Sequence, residues 1–197
     1  MISRNAMLKV LHCRLLLSML LLMVFLPLSG LHAKPMGGDF TLIDHNGQKF
    51  ELEQLRGKVV LLFFGYTTCP DVCPKELSDL AIILNSLGDR AEQVHGLFVT
   101  VDPERDTQDV LKKYVSYFSS NITGLRGSEE EINTVASQYR VPYKLHKDQG
   151  KYYMVDHAAN LYVIAQDGRL WTVVPFGFPP RHVLGIVNNL IEHGRYE

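Results

Sequence analysis

Lys58-Val-Val-Leu-Leu-Phe-Phe-Gly65 is an unbroken apolar run, and Tyr66-Thr-Thr-Cys-Pro-Asp-Val-Cys-Pro74 follows it directly. A strand apolar at every position has no face left for water, the pattern of a central strand covered on both sides. After it, Leu77, Leu80, Ala81, Leu84 and Leu87 recur at helical spacing over Glu76 to Leu87, with Gly88 to end the helix. The junction is therefore strand, loop, helix. Open α/β sheets place ligands at that junction, beyond the carboxyl end of the strand. Pro74 suits the first helical position, where its missing N–H is not needed. Cys69 then falls in the loop and Cys73 at the helix mouth, where the helix dipole favours a thiolate.

Before this junction, Phe40 to Ile43 and Gln48 to Leu52 read as strands joined by Asp44-His45-Asn46-Gly47, with Asn-Gly as the hairpin signal. After it, Val94 to Val101 reads as a strand closed by Asp102-Pro103. Thr107 to Phe118 reads as an amphipathic helix with Asp106 or Thr107 as its cap, and Ser128-Glu-Glu-Glu131 opens a further helix, to Tyr139, with a capping-box pattern. Leu161 to Ala165 and Leu170 to Val174 flank Gln166-Asp167-Gly168-Arg169 as an antiparallel hairpin, and Pro180 to Glu192 closes the chain as a helix. This order gives an α/β fold: a mixed sheet with helices on both faces, thioredoxin-like in arrangement, with an additional N-terminal hairpin and an inserted helix.

Composition agrees with one globular domain. The 197 residues are 46% hydrophobic and 10% aromatic, with 20 basic and 21 acidic side chains. The charge is uneven along the chain. Arg4, Lys9 and Arg14 are the only charged residues before position 34, so the remainder is mildly acidic and carries no basic run. Binding to a nucleic-acid backbone is not expected of it. Behind that basic flank, Leu15 to Leu28 is apolar except for Ser18 and Pro27, and Ser29-Gly-Leu-His-Ala33 follows. This is an export leader. It is either cut after Ala33 or kept as an anchor, with the basic flank in the cytoplasm and the body exported. Residues 34–38 (Lys-Pro-Met-Gly-Gly) then form a linker, and residues 39–197 the domain.

Of the 3 cysteines, Cys13 lies in the leader, which leaves Cys69 and Cys73 in the body. One pair cannot staple a fold of this size. Their Cys-x-x-x-Cys spacing is wider than the Cys-x-x-Cys of thioredoxin-type oxidoreductases. It allows a disulfide, and it also allows both sulfurs to face one soft ion such as Cu(I) or Zn(II). A metal needs a further ligand from elsewhere. The body offers His45, His95, His146, His157, His182 and His193. His45 in a turn, His95 at a strand and His193 near the C-terminus read as surface residues, as do His146 and His182. His157, in Val155-Asp-His-Ala-Ala-Asn160, precedes a predicted strand, and in a thioredoxin-like sheet that loop faces the cysteine loop.

Gly65 to Pro74, Val101-Asp-Pro-Glu-Arg-Asp-Thr107, Val155-Asp-His157 followed by Leu161-Tyr-Val-Ile164, and Asp167-Gly168 closely resemble the SCO/SenC copper chaperones. The resemblance covers nearly all of residues 38–193. It implies a thioredoxin-like domain at the periplasmic side of the inner membrane that binds copper, as Cu(I) or Cu(II), through two thiolates and one imidazole. The matching positions are Cys69, Cys73 and His157. The implied partners are the copper-bearing subunit of cytochrome c oxidase, a thiol reductant, and the membrane if the leader is kept. Thr68 departs from the pattern, standing where many members carry His. Asp71 is read as a carboxylate capping the helix start, with an outer-sphere acceptor as the alternative, Asp156 either as the residue that orients His157 or as a turn residue, and Asp102 to Thr107 as strand exit and helix cap, with a lining of the site mouth as the alternative. Three other functions compete: a thiol–disulfide oxidoreductase using Cys69 and Cys73, a peroxidase with Thr67 or Thr68 beside a reactive cysteine, and a zinc site.

Overall fold

The computed structural model describes residues 35–150 and 153–194, so the leader with Cys13 lies outside the described residues. Strands β1 (Thr41–Asp44) and β2 (Lys49–Glu51) form the expected front hairpin around Gly47, whose positive φ of 81° the turn requires. β3 (Val59–Gly65) is buried at every position, as its composition demands. Each large apolar side chain so buried contributes about 1.5–3 kcal/mol. Helix α1 (Val72–Ser86) follows, then β4 (Val94–Thr100), α2 (Gln108–Phe118), β5 (Ile122–Arg126) and α3 (Glu129–Gln138). β6 (Tyr143–Leu145), β7 (Val155–His157), β8 (Leu161–Ile164), β9 (Leu170–Val174) and α4 (Pro180–His193) complete the chain.

The main sheet runs β2-β1-β5-β4-β3-β8-β9. β3, β4 and β5 are mutually parallel, and the strands outside them pair antiparallel, so the sheet is mixed. Side-chain alternation assigns the helices to its two faces. Gly96 and Gly124 lie on one face, where Leu80 of α1 and Leu111 of α2 pack directly onto them. Phe64 and Tyr162 lie on the other face, where both rings meet Tyr139 at the end of α3 at 5.9 and 5.7 Å between centroids. This is the thioredoxin-like architecture with helices on both faces. Thr107 caps α2 by accepting from the Val110 N–H, and Ser128 and Glu131 form both bonds of the capping box on α3.

Two pieces of the fold differ from the sequence reading. β5 was not anticipated; it separates the front hairpin from β4 and pairs with both β1 and β4. β6 and β7 form a small sheet of their own, so His157 ends a strand instead of lying in a loop. Gly37 and Gly38, at the end of the stretch read as a linker, are held against the domain. The Gly37 N–H donates to Gln138 O, and the Tyr139 hydroxyl donates to Gly38 O.

Register explains why distant residues meet. Phe63 of β3 pairs with Leu161, the first residue of β8. The chain therefore enters β8 at the end of the sheet where β3 delivers the cysteine loop. His157 lies just before that entry.

Candidate metal centre

The cysteine arm grows out of the core. Gly65 ends β3, and a Cβ there would stand 2.7 Å from Cys73 Sγ and 2.8 Å from a Phe98 ring carbon. Only glycine lets the helix start press its sulfur under the strand end. Cys73 is fully buried, whereas Cys69 is partly exposed. The helix begins at Val72, earlier than the apolar spacing indicated, with Pro74 in the first turn where its missing N–H costs nothing. Asp71 occupies the N-cap position, but its side chain makes no capping bond. The Cys69 sulfur takes that place, accepting from the Cys73 backbone N–H at 3.5 Å. The expectation that Asp71 caps the helix is corrected: a thiolate at the N-terminus satisfies the same orphan donors and the same dipole.

The histidine arm arrives from the β6–β7 hairpin. His157 Nε2 lies 3.4 Å from Cys73 Sγ. Its Nδ1 lies 3.2 Å from Ala158 O. A carbonyl only accepts, so the proton of the neutral ring belongs on Nδ1, and the Nε2 lone pair points at the sulfurs. The ring stands edge-on to Tyr66 at 5.6 Å and to Phe63 at 6.2 Å, which makes both aromatics walls of the site. Asp156 does not orient His157. It accepts from His146 Nε2 at 2.7 Å across the hairpin, because consecutive residues of a strand point to opposite faces.

One donor atom from each of Cys69, Cys73 and His157 lies within 4.8 Å of the other two. No disulfide joins the cysteines. Hydrogen bonding with Cys73 above all, together with the helix N–H groups, draws the Cys69 thiol well down against the opposing effect of burial. Cys73 moves the other way, pushed up by its bond to Cys69 and by its own burial. The pair thus holds one negative charge on the more exposed sulfur. Burial and the two neighbouring thiols push the Tyr66 phenol up to about 12, so it stays protonated beside Cys69. Two soft sulfurs and one imidazole, one sulfur already ionised, are a donor set suited to Cu(I). Among the described residues no fourth His, Cys, Asp or Glu joins this cluster, whereas structural zinc takes four ligands. A cavity of about 330 Å³ opens at the cluster, lined by Tyr66, Cys69, Pro70, Met154 and His157 among others.

The other histidines are held elsewhere. His45 Nδ1 accepts from the Gly124 N–H, and His95 Nε2 lies 2.8 Å from the Thr123 hydroxyl, so both brace β5 and neither is purely a surface group. His182 lies against Phe178, and His193 at the end of α4. Thr67, weighed as part of a peroxide site, gives its hydroxyl and its N–H to Asp106. Thr68 is exposed. The turn Asp102 to Thr107, read from the sequence chiefly as strand exit and helix cap, reaches both arms through Asp102, Arg105 and Asp106.

A family model described as SCO1/SenC matches residues 29–192. A SCO2-like protein of Rickettsia conorii is 35% identical over 156 residues, 78% of this chain and 76% of that one. The mitochondrial SCO1 homolog of Homo sapiens is 39% identical over 139 residues, 68% of this chain but 46% of that one, so the match spans about half of that longer relative. Among solved structures, Bradyrhizobium japonicum ScoI with copper bound superposes with a TM-score of 0.72 at 38% identity, covering 78% of this chain and 98% of that one. Yeast Sco1 with copper bound superposes with a TM-score of 0.73 at 31% identity, covering 81% and 90%.

Proposed function

The chain belongs to the SCO1/SenC family, and on that footing we propose that it is a copper metallochaperone for the copper site of cytochrome c oxidase. Copper is its cargo, held by Cys69 Sγ, Cys73 Sγ and His157 Nε2. The observation that carries this reading is the convergence of three such donors, 84 residues apart in sequence for Cys73 and His157, within 4.8 Å. Copper-bound structures of ScoI and Sco1 proteins with the same fold support it.

Each residue has a task. The Cys69 thiolate is the accessible first contact, ionised well below neutral pH. Cys73 closes the site from within and gives up its proton as the ion arrives, since only a thiolate is a full ligand. His157 brings a neutral nitrogen and adds no charge. A donor set of two thiolates leaves a Cu(I) site with a single negative charge. The aromatic walls keep water off the buried side. Release reverses this order, ending at the exposed sulfur.

A second reading has its own support in the low thiol pKa and the accessible position of Cys69. In thiol–disulfide exchange, the Cys69 thiolate attacks a target disulfide and displaces one target thiolate. Cys73 then attacks the Cys69 sulfur and releases the second target thiol. The target gains two electrons, and the chain is left with a Cys69–Cys73 disulfide that an envelope thiol reductant must reopen. Such a step prepares cysteines of an oxidase subunit to receive copper, so the two readings can serve one pathway.

Residues 1–33 act as an export leader or membrane anchor in this proposal, and residues 39–197 work on the periplasmic side of the inner membrane. No helix among the described residues is long and apolar enough to cross a membrane. The test is copper binding by the full chain and by His157→Ala. The variant is expected to lose tight Cu(II) binding while its thiols still oxidise to a disulfide. Copper binding unchanged in His157→Ala would overturn the three-donor site.

A further inference from the structure

Asp102 and Asp106 are fully buried acids in a domain whose other buried groups are almost all apolar. Both lie in the turn between β4 and α2, which looks like simple strand exit in the sequence. Buried carboxylates persist only where hydrogen bonds and countercharges repay their desolvation. The partners in this turn come from the two arms of the metal centre.

Asp106 serves the cysteine arm. Its Oδ2 accepts from the Thr67 N–H at 3.0 Å and its Oδ1 from the Thr67 hydroxyl at 2.6 Å. The Thr100 hydroxyl supplies a third bond at 2.6 Å. Thr67 thus has its backbone and its side chain fixed just ahead of Cys69.

Asp102 and Arg105 serve the histidine arm. The Asp102 carboxylate accepts from Arg105 Nε on one oxygen and from the Tyr153 hydroxyl at 2.6 Å on the other. Arg105 Nη1 donates to the Tyr153 carbonyl at 2.8 Å. The guanidinium carbon sits 3.8 Å from the centre of the Tyr153 ring, a cation–π contact. Tyr153 is therefore held at its hydroxyl, its ring and its carbonyl by one ion pair. It opens the segment Tyr153 to His157, whose β7 is three residues long and pairs with β6 and not with the main sheet, Val155 being its other buried anchor. Arg105 also lies 5.6 Å from the Tyr66 ring, whose edge meets His157.

We propose that Arg105, through its ion pair with Asp102 and its grip on Tyr153, is a positioning residue that holds the His157 imidazole against the two sulfurs. Arg105 touches neither copper nor a donor atom. It sets where the strand carrying His157 begins, and with it the distance from Nε2 to Cys73 Sγ. The same turn holds Thr67, so one loop fixes the spacing between the arms. The proposal rests on the copper-site reading for its purpose, but the placement of the ring can be read without metal.

The experiment uses the full chain, reduced and metal-free, with ¹⁵N-labelled histidine. In the wild type, long-range ¹H–¹⁵N spectra are expected to give His157 as one tautomer with the proton on Nδ1. Arg105→Met is expected to give a mixed tautomer and faster amide exchange through Val155 to His157. Tyr153→Phe, which removes one hydroxyl and keeps the ring, is expected to move the same signals less, and Arg105→Lys to restore them in part. On copper loading, Arg105→Met should weaken Cu(II) binding by about tenfold or more, the usual cost of losing a group that orients a metal ligand. Cu(I) binding, which the two thiolates dominate, should change less. If Arg105→Met does not fold, Tyr153→Phe decides by the same signals. A wild-type tautomer and wild-type exchange in whichever of these folds, with only a lowered melting temperature, would overturn the proposal. If instead His157→Ala binds copper normally, the copper-site reading fails, while the metal-free spectra still judge the positioning.

Discussion

The two arms of the proposed metal centre are built in opposite ways. The cysteine arm is continuous with the core: β3 is buried along its whole length, is paired on both sides, and passes through Gly65 and one short loop into α1. The histidine arm is a pair of three-residue strands outside the main sheet, pinned by polar contacts from a turn and by an exposed His146–Asp156 pair. Sequence-local packing fixes the first arm, whereas the second depends on directional bonds beside two buried side chains, Tyr153 and Val155. A site that must take up an ion and give it away gains from this asymmetry. The sulfurs stay in place, while the imidazole can be displaced at the cost of a few hydrogen bonds.

The largest effects should come from the rigid arm. Cys69→Ser and Cys73→Ser are each expected to abolish the thiolate-to-Cu(II) charge-transfer band and tight copper binding, as read by absorption and metal content. A variant that keeps both would remove that sulfur from the site. Gly65→Ala places a methyl group into the Cys73 sulfur and should cost about 1–3 kcal/mol, measured by denaturant unfolding. It should also disturb copper binding, because the helix start cannot move independently of the strand.

A pH effect in the same arm follows from Glu76, which is buried on α1 and pushed up to about 7, chiefly by that burial. Its unfolded value is about 4.5. Raising a carboxyl on folding means that the unfolded state releases its proton first. The native state is therefore unpenalised below pH 4.5 and loses stability as pH rises toward and through 7. Glu76→Gln should stabilise the protein by about 3 kcal/mol at pH 8 and leave stability near pH 4 almost unchanged. Equal stability of the two proteins at pH 8 would show that the carboxyl is better solvated than its burial indicates.

The smallest effect should come from the loose arm. His146→Ala removes a surface pair and should cost less than about 1 kcal/mol, with a melting curve close to wild type. Its effect on copper should also be smaller than that of Arg105→Met. If His146→Ala matched Arg105→Met, the exposed pair and not the buried turn would be the main tether.

The rigid arm was also the legible one. An apolar run with no polar break can only be an interior strand, and two cysteines at a helix mouth carry their chemistry on the surface of the sequence. The loose arm was not legible. Tyr143-Lys-Leu145 and Val155-Asp-His157 are too short for a period to register, and their pairing depends on each other and not on local propensity. β5 hid for a related reason: Ile122-Thr-Gly-Leu-Arg126 is interrupted by Gly124, which is there because Leu111 packs where its Cβ would be. Asp102, Arg105 and Asp106 read as an ordinary polar turn because nothing in their spacing tells that two of the three are buried. His157 was reached by resemblance to a family, and Asp156, its neighbour, turned out to face the other way.

The central claim is that one copper ion is shared by Cys69, Cys73 and His157. X-ray absorption at the copper edge of the full chain loaded with one equivalent of Cu(I) tests it most directly. The expected coordination shell holds two sulfurs and one imidazole nitrogen, and the nitrogen contribution disappears in His157→Ala. A shell with a single sulfur, or an imidazole signal that survives in His157→Ala, would contradict it.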